Sequence, residues 1–278
     1  MALLSRNRKV GRESRYSKSM SALIPADKLS FGAKSVNLAL IAKAGYSIPD
    51  GFCVSTEAFR EHILQGNGDL ANLSNSAAAH HRIRQVILKT PLRPELEEEL
   101  CQRLESFSGS TSDLLAVRSS AVEEDISSGS FAGVYSTFLD ISGKNQLLQG
   151  IKSCWASYLS ETAQHYRSSR QVESLKGMAV LIQRMIQPRY SGVLFTSWIS
   201  NHRDGHCLIE MVSGDARNLV DGQVSGKRFS VNRKTMRVTS HNRRFVIRHY
   251  KLMRRLARVG EEIESIMGSP QDIEWCVD

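Results

Sequence analysis

One continuous stretch, Ala116 to Leu139, constrains what this chain can fold into more than any other segment. It reads AVRSSAVEEDISSGSFAGVYSTFL and changes from apolar to small and polar, then back to an apolar alternation. The polar middle cannot form part of a core, because buried polar groups without partners cost free energy. Leu114 to Val117 predicts a short buried strand, and Val134 to Leu139 predicts a returning strand or hairpin arm.

Arg118 lies at the end of the first predicted strand and carries the chemistry of this stretch. Its planar guanidinium can bind two phosphate oxygens at once. Gly129 and Gly133 allow the loop backbone to approach a ligand closely, and Thr137 follows on the returning strand. The pattern predicts a phosphate site or a nucleotide clamp. It is equally consistent with an Arg118 that pairs with an acid of the Glu123 to Asp125 run beside a flexible turn.

The strings VRSSAVEED and SFAGVYSTFL resemble the ATP-binding domain of the pyruvate phosphate dikinase and phosphoenolpyruvate synthase family, which includes rifampicin phosphotransferase-like enzymes. The resemblance covers residues 29 to 278. It implies an α+β fold of the ATP-grasp type, with two lobes around the nucleotide and with ATP and Mg²⁺ as ligands. By this resemblance, Arg118, Gly133 and Thr137 lie at the phosphates of ATP.

Lys34 lies in the first turn of a predicted helix that ends at Gly45. Free backbone amides and the helix dipole favour an anion at this end of a helix. Taken alone, the residue is more typical of a surface lysine. The segment FGAKSVNLALIAKAG is similar to the family's phosphate-binding segment, which implies that Lys34 contacts ATP phosphate and, with Arg118, has a catalytic role. Ala33 and Ser35 stand where the family usually has glycine, so we expect a less close approach to the phosphates.

Gln183 interrupts a mostly apolar predicted strand that reads AVLIQRMI. Together with the SGVLFT that follows, this segment is similar to the family's sequence nearly residue for residue. The resemblance implies that Gln183 lies in the adenine-binding region, on the strand that links the two lobes. The alternative is a glutamine whose amide is satisfied by the edge of a neighbouring strand.

The last eight residues, QDIEWCVD, alternate between apolar and polar side chains. This alternation predicts a strand that presents Asp272 and Glu274 on one face. Edge strands often carry charge, so the acids alone do not indicate a metal. The resemblance implies that Glu274 helps to hold the Mg²⁺ that bridges the phosphates of ATP, and carboxylate oxygens suit that ion.

Two features depart from the family pattern. Asp215, Ala216 and Arg217 replace the family's Leu-Gly-Glu in a glycine-rich loop, which weakens the transfer of that loop's function to this chain. In the family, a further strand with a second metal ligand and an arginine follows the position of Asp278. We therefore expect the final C-terminal strand of the family to be lacking, together with the phosphohistidine and acceptor domains.

The composition, with a net charge of +9 over 278 residues, is that of a globular protein. The five scattered cysteines indicate free thiols in a reducing cytoplasm. No apolar run is long enough to span a membrane. Many of the basic residues lie in residues 1–28, which we predict to form a disordered tail. This tail has a single aromatic residue, Tyr16, among its cations and is therefore more typical of a solvated arm than of a nucleic-acid binder.

A long helix is predicted between Arg237 and the final strand, where apolar residues recur every three or four positions. Its basic side is expected to be a solvated face. The adjacent His80 and His81 are likewise predicted at the surface. The expected lobes are residues 29–175, with Lys34 and Arg118, and residues 176–278, with Gln183 and Glu274.

The implied function is the ATP-binding domain of a dikinase-type phosphotransferase. Phosphate would pass from Mg-ATP to a carrier histidine on another domain or chain, and then to an acceptor such as pyruvate. A second interpretation is a non-catalytic nucleotide-binding or regulatory module derived from the same family. The third and least favoured is a nucleic-acid binder that uses the tail and Arg243 to Arg258, with salt-sensitive affinity.

Overall fold

The structure is a computed structural model that describes residues 14–68, 76–107, 114–123, 134–169, 175–197, 205–220, 224–240 and 243–278. The chain divides into two compact units, Met1–Met185 and Ile186–Asp278. Each unit is built around one antiparallel sheet of five strands, and both contain helices, which agrees with the predicted α+β class. None of the described helices is long and apolar enough to cross a membrane.

The first unit alternates short strands with helices. In chain order the elements of its described residues are β1 (Ser17–Ser19), 3₁₀ turns at Met20–Ala22 and Pro25–Asp27, α1 (Lys28–Phe31), α2 (Ala33–Lys43), β2 (Gly51–Val54), α3 (Thr56–Gln65), α4 (Ala77–Lys89), α5 (Pro94–Phe107), β3 (Leu115–Ala121), β4 (Thr137–Ile141), α6 (Gly143–Ser157), α7 (Glu161–Ser169) and β5 (Met178–Arg184).

The second unit is richer in strands. In chain order the elements of its described residues are β6 (Tyr190–Phe195), β7 (His206–Ser213), α8 (Arg217–Val220), β8 (Lys227–Asn232), β9 (Val238–Thr239), α9 (Arg243–Met267) and β10 (Asp272–Val277).

The sheet of the first unit has the strand order β1-β2-β5-β3-β4. Strand β5 is last in sequence but central in the sheet, where it pairs with β3 from Leu115 opposite Arg184 to Ala121 opposite Met178. The sequence analysis placed the lobe boundary at residue 175 and Gln183 in the second lobe. In the structure the first unit continues to Met185 because β5 completes its sheet.

The two faces of this sheet pack against different elements. One face, which includes Val117 and Ile182, lies in a large apolar core with α3 to α6, where Trp155 is fully buried. The opposite face includes Cys53 and Leu181, which pack against Val36 and Ala39 of α2. We call this second surface the α2 face. Its alternation with the core face follows from the two-residue period of a strand.

The edge strand β1 is held by two residues of α5. A carboxylate oxygen of Glu99 accepts from Ser17 Oγ at 2.6 Å, and Arg103 donates to the Oγ atoms of Ser17 and Ser19 at 2.9 and 3.2 Å. Residues 14–28, which the sequence analysis assigned to a disordered tail, are therefore structured. These long-range contacts order them, whereas residues 1–13 lie outside the described residues.

The sheet of the second unit has the order β10-β6-β7-β8-β9. Helix α9 covers one of its faces, and Met253 and Ala257 pack there against Leu194 and Trp275. Gly260 allows a close approach, since a Cβ atom at this position would lie 2.6 Å from a methyl group of Leu194. All five cysteines of the chain are free.

Two histidines of the first unit are buried in apolar surroundings. His80, predicted at the surface, is buried on the inner side of α4, whereas His81 is exposed. His62 on α3 is also buried; its Nε2 donates to the carbonyl of Ile87 at 2.8 Å, and its Nδ1 has no hydrogen-bond partner. Burial lowers the pKa of His62, and Lys152 lowers it further.

The first prediction concerns the pH dependence of stability. The pKa of His62 is lowered in the folded state. As the pH falls below about 6.5, the ordinary pKa of a histidine, the unfolded chain therefore binds a proton that the folded chain does not yet bind. We expect the free energy of unfolding to fall as the pH drops from 7 to 5, by up to about 1.4 kcal/mol per pH unit for each such histidine. His62→Gln should reduce this slope in urea denaturation.

The matched control is His81→Gln, which replaces the exposed histidine of α4. It should leave the slope as in the wild type. Equal slopes for the wild type and His62→Gln would contradict the prediction, because the titration would then come from other groups.

Candidate functional site

The first turn of α2 is held against β3 by a single hydroxyl group. Ser120 Oγ donates to the carbonyl of Phe31 at 3.0 Å and accepts from both the backbone N and the Oγ of Ser35, at 3.1 and 3.0 Å. Ser120 and Ser35 are fully buried. A buried hydroxyl with three partners fixes the separation of the two elements, because each bond broken would leave a polar group unsatisfied.

Gly32 makes this contact possible. Its φ of +74° and ψ of 161° are open essentially only to glycine. A Cβ atom here would lie 1.9 Å from the carbonyl oxygen of Ser120. The backbone before α2 therefore touches the backbone of β3. Lys34 follows two residues later, in the first turn of the helix, and is half-buried.

Arg118 and Thr137 face each other across β3 and β4. They are register partners, and Arg118 is also opposite Leu181 of β5. Directly opposed residues of an antiparallel pair share a face, so Arg118 and Thr137 belong to the α2 face with Leu181. Arg118 lies two residues from Ser120 on the same side of β3, and the start of α2 is therefore next to it.

Gln183 lies on the same face, because it is two residues from Leu181 on β5. It is buried, and its Nε2 donates to the carbonyl of Pro49 at 3.0 Å and lies 3.9 Å from Met20 Sδ. The amide thus connects the centre of the sheet to the turn before β2. The alternative stated for Gln183 was an amide satisfied by the edge of a neighbouring strand, whereas the acceptor is a carbonyl of this turn.

Glu123, one of the acids proposed as an alternative partner of Arg118, has other partners. It is fully buried and accepts at 2.5 Å from Tyr158 Oη and at 2.8 Å from the backbone N of Lys176. Burial and the nearby carboxylate raise the pKa of Tyr158 well above its ordinary value. The end of β3 is thereby tied to α6 and to the approach to β5, and the pairing of Arg118 with Glu123 is wrong.

Several sequence-predicted positions cannot be compared with the structure. Gly133, together with Glu124 and Asp125, lies outside the described residues. Of the departing loop, Gly214 has a φ of +76°, and the carboxylate of Asp215 accepts from the backbone N of Arg217 at 3.0 Å. This short turn is closed by its own side chain before α8.

In the second unit, Glu274 lies on the edge strand β10, opposite Val193 of β6. It is exposed, as are Asp272 and Cys276 on the same side of the strand, whereas Trp275 on the other side is buried against α9. The predicted alternation of β10 is therefore confirmed. Within the described ranges, no group of three or more His, Cys, Asp or Glu residues could hold a metal ion.

A second acid lies on the same surface of this sheet. Val193 is opposite Glu210 of β7, and Glu210 is opposite Arg228 of β8. Arg228 Nε donates to the Glu210 carboxylate at 2.6 Å. This arginine therefore neutralises the charge of Glu210.

Comparison with known proteins decides which family this arrangement belongs to. The sequence profile described as pyruvate phosphate dikinase, AMP/ATP-binding domain, matches residues 28–278. The chain belongs to this family. It is 30% identical to a rifampicin phosphotransferase of Bacillus subtilis (strain 168) over 288 residues, which are 88% of this chain and 32% of that protein.

Phosphoenolpyruvate synthases are similar to the same extent. One from Aeropyrum pernix is 30% identical over 223 residues, which cover 74% of this chain and 27% of that protein. A probable phosphoenolpyruvate synthase of Archaeoglobus fulgidus is 29% identical over 291 residues, 89% of this chain and 38% of that protein. The chain thus spans about a third of the length of these relatives. The family match assigns it a dikinase-type ATP-binding role.

The sequence indicated four residues at or beside the α2 face: Lys34, Arg118, Thr137 and Gln183. It did not indicate the contact between α2 and β3, the elements that carry Lys34 and Arg118. That contact is made by Ser120, whose hydroxyl is engaged with Phe31 and Ser35. One signal was available: Gly32 directly before a helix indicates a positive φ or a close backbone contact.

The second prediction tests whether this contact fixes the site. We expect Gly32→Ala to lower the free energy of unfolding by on the order of 3 kcal/mol, since backbone strain and a backbone clash add. The variant should also weaken ATP binding, because the start of α2 must move away from Arg118. Urea denaturation and calorimetry measure the two effects.

Gly45→Ala is the control. Gly45 follows α2 with a φ of +95°, and a Cβ atom there would meet nothing within 4 Å. It should cost about 1–2 kcal/mol of strain alone and leave ATP binding unchanged. Equal losses of stability and affinity in the two variants would show that the Gly32 contact is not needed.

Proposed function

We propose that the chain is an ATP-grasp-type domain that binds Mg-ATP and supplies a phosphoryl group to a carrier histidine on another domain or chain. From there the group would pass to an acceptor such as pyruvate. The observation that carries this proposal is the proximity of Arg118, Thr137 and the first turn of α2 on one face of a sheet, within a member of the dikinase AMP/ATP-binding family.

The charge at this face suits a chain of phosphates. Arg118 and Lys34 are both half-buried, and a cation in a partly desolvated position attracts an anion more strongly than one in bulk water. Arg118 would bind two phosphate oxygens through its planar fork. Lys34 would add a second positive charge beside the amides of the helix start, and the Thr137 hydroxyl would donate to a third oxygen.

The residues of β10 fit a magnesium ion. Asp272 and Glu274 are exposed on the same side of the strand and supply carboxylate oxygens, which Mg²⁺ accepts together with water and phosphate oxygens. We propose Glu274 as a ligand, with Asp272 beside it. When bound, the ion would neutralise part of the negative charge of ATP.

In this proposal the chain's own residues act by position and charge. Phosphoryl transfer needs little covalent chemistry from the protein, and its transition state is stabilised by cations fixed in advance. Arg118 and Lys34 would hold the phosphates and offset charge as it develops on them. The bond from Gln183 to Pro49 would shape the adenine region from behind the strand.

One alternative is a nucleotide-binding or regulatory module without turnover. Two observations favour it: the backbone N–H of Ser35, a donor at the start of α2, is used by Ser120, and the amide of Gln183 is used by Pro49. The Ser35 N–H would be available to ATP only if its bond to Ser120 were broken, and Gln183 would offer ATP its carbonyl oxygen rather than the N–H that Pro49 uses.

The third prediction tests the phosphate site by calorimetric titration with ATP, with and without Mg²⁺. Arg118→Ala should weaken Mg-ATP binding at least about tenfold, because a charge-assisted bond contributes about 1.5–3 kcal/mol. Arg82→Ala is the control, since Arg82 is exposed on α4, on the other side of the sheet. An unchanged dissociation constant for Arg118→Ala would exclude the proposed site.

The fourth prediction separates the enzyme from the module. Labelled ATP is incubated with the full chain, alone and with a phosphohistidine domain taken from a rifampicin phosphotransferase. The proposal expects AMP and inorganic phosphate to form in equal amounts only when that domain is present, because one phosphoryl group of ATP passes to its histidine and the other passes to water. ATP binding without AMP formation in either mixture would identify the module.

A further inference from the structure

Charge is distributed very unevenly along the second unit. From Gly222 to Gly260 the sequence contains no aspartate or glutamate. The same segment contains twelve basic residues: Lys227, Arg228, Arg233, Lys234, Arg237, Arg243, Arg244, Arg248, Lys251, Arg254, Arg255 and Arg258. The chain has a pI of about 9.5. A basic segment of this kind is the usual electrostatic footprint of a polyanion-binding surface.

Lys227, Arg228 and Arg233 are used within the protein. Arg228 pairs with Glu210 at 2.6 Å, and Arg233 lies 3.4 and 3.0 Å from Glu261 and Glu264. Lys227 Nζ lies 3.7 Å from the centroid of the Phe245 ring. These side chains have structural partners that explain their presence.

The cations in the middle of α9 have no such explanation. Arg248, Lys251, Arg255 and Arg258 are all exposed, and no carboxylate in the described part of the chain lies within 4 Å of their charged groups. Their spacing of three, four and three residues puts them on one side of the helix. We call these four residues the basic stripe. The exposed Arg244 continues it by one turn toward the start of α9.

The basic stripe is separate from the acids of β10 that are proposed to hold magnesium. Met253 and Ala257 mark the buried side of α9, which packs on the sheet, and the stripe lies on the opposite side of the helix. Glu274 lies on the far face of the same sheet. The sheet and the helix thus separate the stripe from the acids of β10.

The length of the basic stripe indicates which kind of anion it fits. Ten residues of helix at 1.5 Å each span about 15 Å, which matches about four phosphates of one strand at 3.4 Å each. A single nucleotide would leave most of the stripe unused. An anionic membrane is disfavoured because the apolar side of α9 is already buried on the sheet, so the helix has no apolar face to insert.

An acidic protein is also a poorer match. The cores of protein interfaces are depleted of charged residues and are built from apolar and aromatic anchors. Beside the stripe, only Ile247 and Tyr250 are exposed apolar residues of α9 before its last turn, at 74% and 37%. Arg254 lies over the Tyr250 ring at 5.4 Å, so an aromatic residue is interleaved with the cations of this helix.

We propose that the basic stripe of α9 binds the phosphate backbone of nucleic acid, without sequence specificity, as an activity separate from ATP binding. The sequence alone made this the least favoured interpretation, because a basic run is usually a solvated face. The structure adds that the cations are aligned, exposed and free of carboxylate partners among the described residues. Arg237 and Lys234, exposed at the nearby β8–β9 turn, extend the basic surface.

The test is fluorescence anisotropy of a labelled 20-nucleotide single strand and of the matching duplex with the full chain, over a series of salt concentrations. The variant is Lys251→Gln with Arg255→Gln. It should weaken binding at least about fivefold at low salt, equally for all sequences, and reduce the slope of log K against log salt by about 1.4 for the single strand.

The matched control is Arg82→Gln with Lys89→Gln, which removes the same number and types of exposed cations from α4 of the first unit. It should keep the affinity, and both double variants should bind Mg-ATP like the wild type. The proposal is overturned by any of three results: no binding at low salt, equal losses in the two variants, or polyglutamate that competes as well as unlabelled oligonucleotide. The last result would identify an acidic protein segment as the partner.

Discussion

The position of the proposed nucleotide site depends on one buried hydroxyl group, that of Ser120. This hydroxyl joins the carbonyl of Phe31, the last residue of α1, to the backbone amide of Ser35 in the first turn of α2. Ser120 lies on β3, the strand that also carries Arg118. An unpaired buried hydroxyl costs about 1–3 kcal/mol, so the three partners of Ser120 are strongly coupled. The distance between the two candidate cations is therefore set by one side chain and by the glycine that lets the backbones touch.

Strand β3 is in turn fixed by β5, which pairs with it along its whole length. The seven paired residues run from the α2 face to the core face in alternation, so a slip of one residue would move Arg118 into the apolar core. Glu123 closes the far end of β3 through Tyr158 and the backbone of Lys176. The position of β3 is therefore fixed in three ways. They are its pairing with β5, the hydrogen bonds of Ser120 on one face, and those of Glu123 at its end.

Local sequence patterns predicted some of these elements but not their connections. The apolar start of β3, the alternation of β10 and the long helix α9 could be predicted because period-two and period-3.6 patterns are local. The hydrogen bonds of Ser120 with Ser35 and of Gln183 with Pro49 join residues 85 and 134 positions apart. No local pattern contains such a pairing. His80 is different, since its spacing of three and seven residues from Ile83 and Ile87 marks the inner side of α4 and could have indicated burial.

The two anion sites proposed for this chain would attract phosphate through different electrostatic effects. At the α2 face the cations are half-buried, so their attraction for phosphate is strengthened by a lower dielectric and little weakened by salt. On α9 the cations are exposed on long side chains, and attraction arises from their number and alignment together with the release of counterions. At physiological ionic strength the Debye length is about 8 Å, shorter than the stripe. A ligand must therefore contact several of its cations at once, which a polymer of phosphates can do and a single nucleotide cannot.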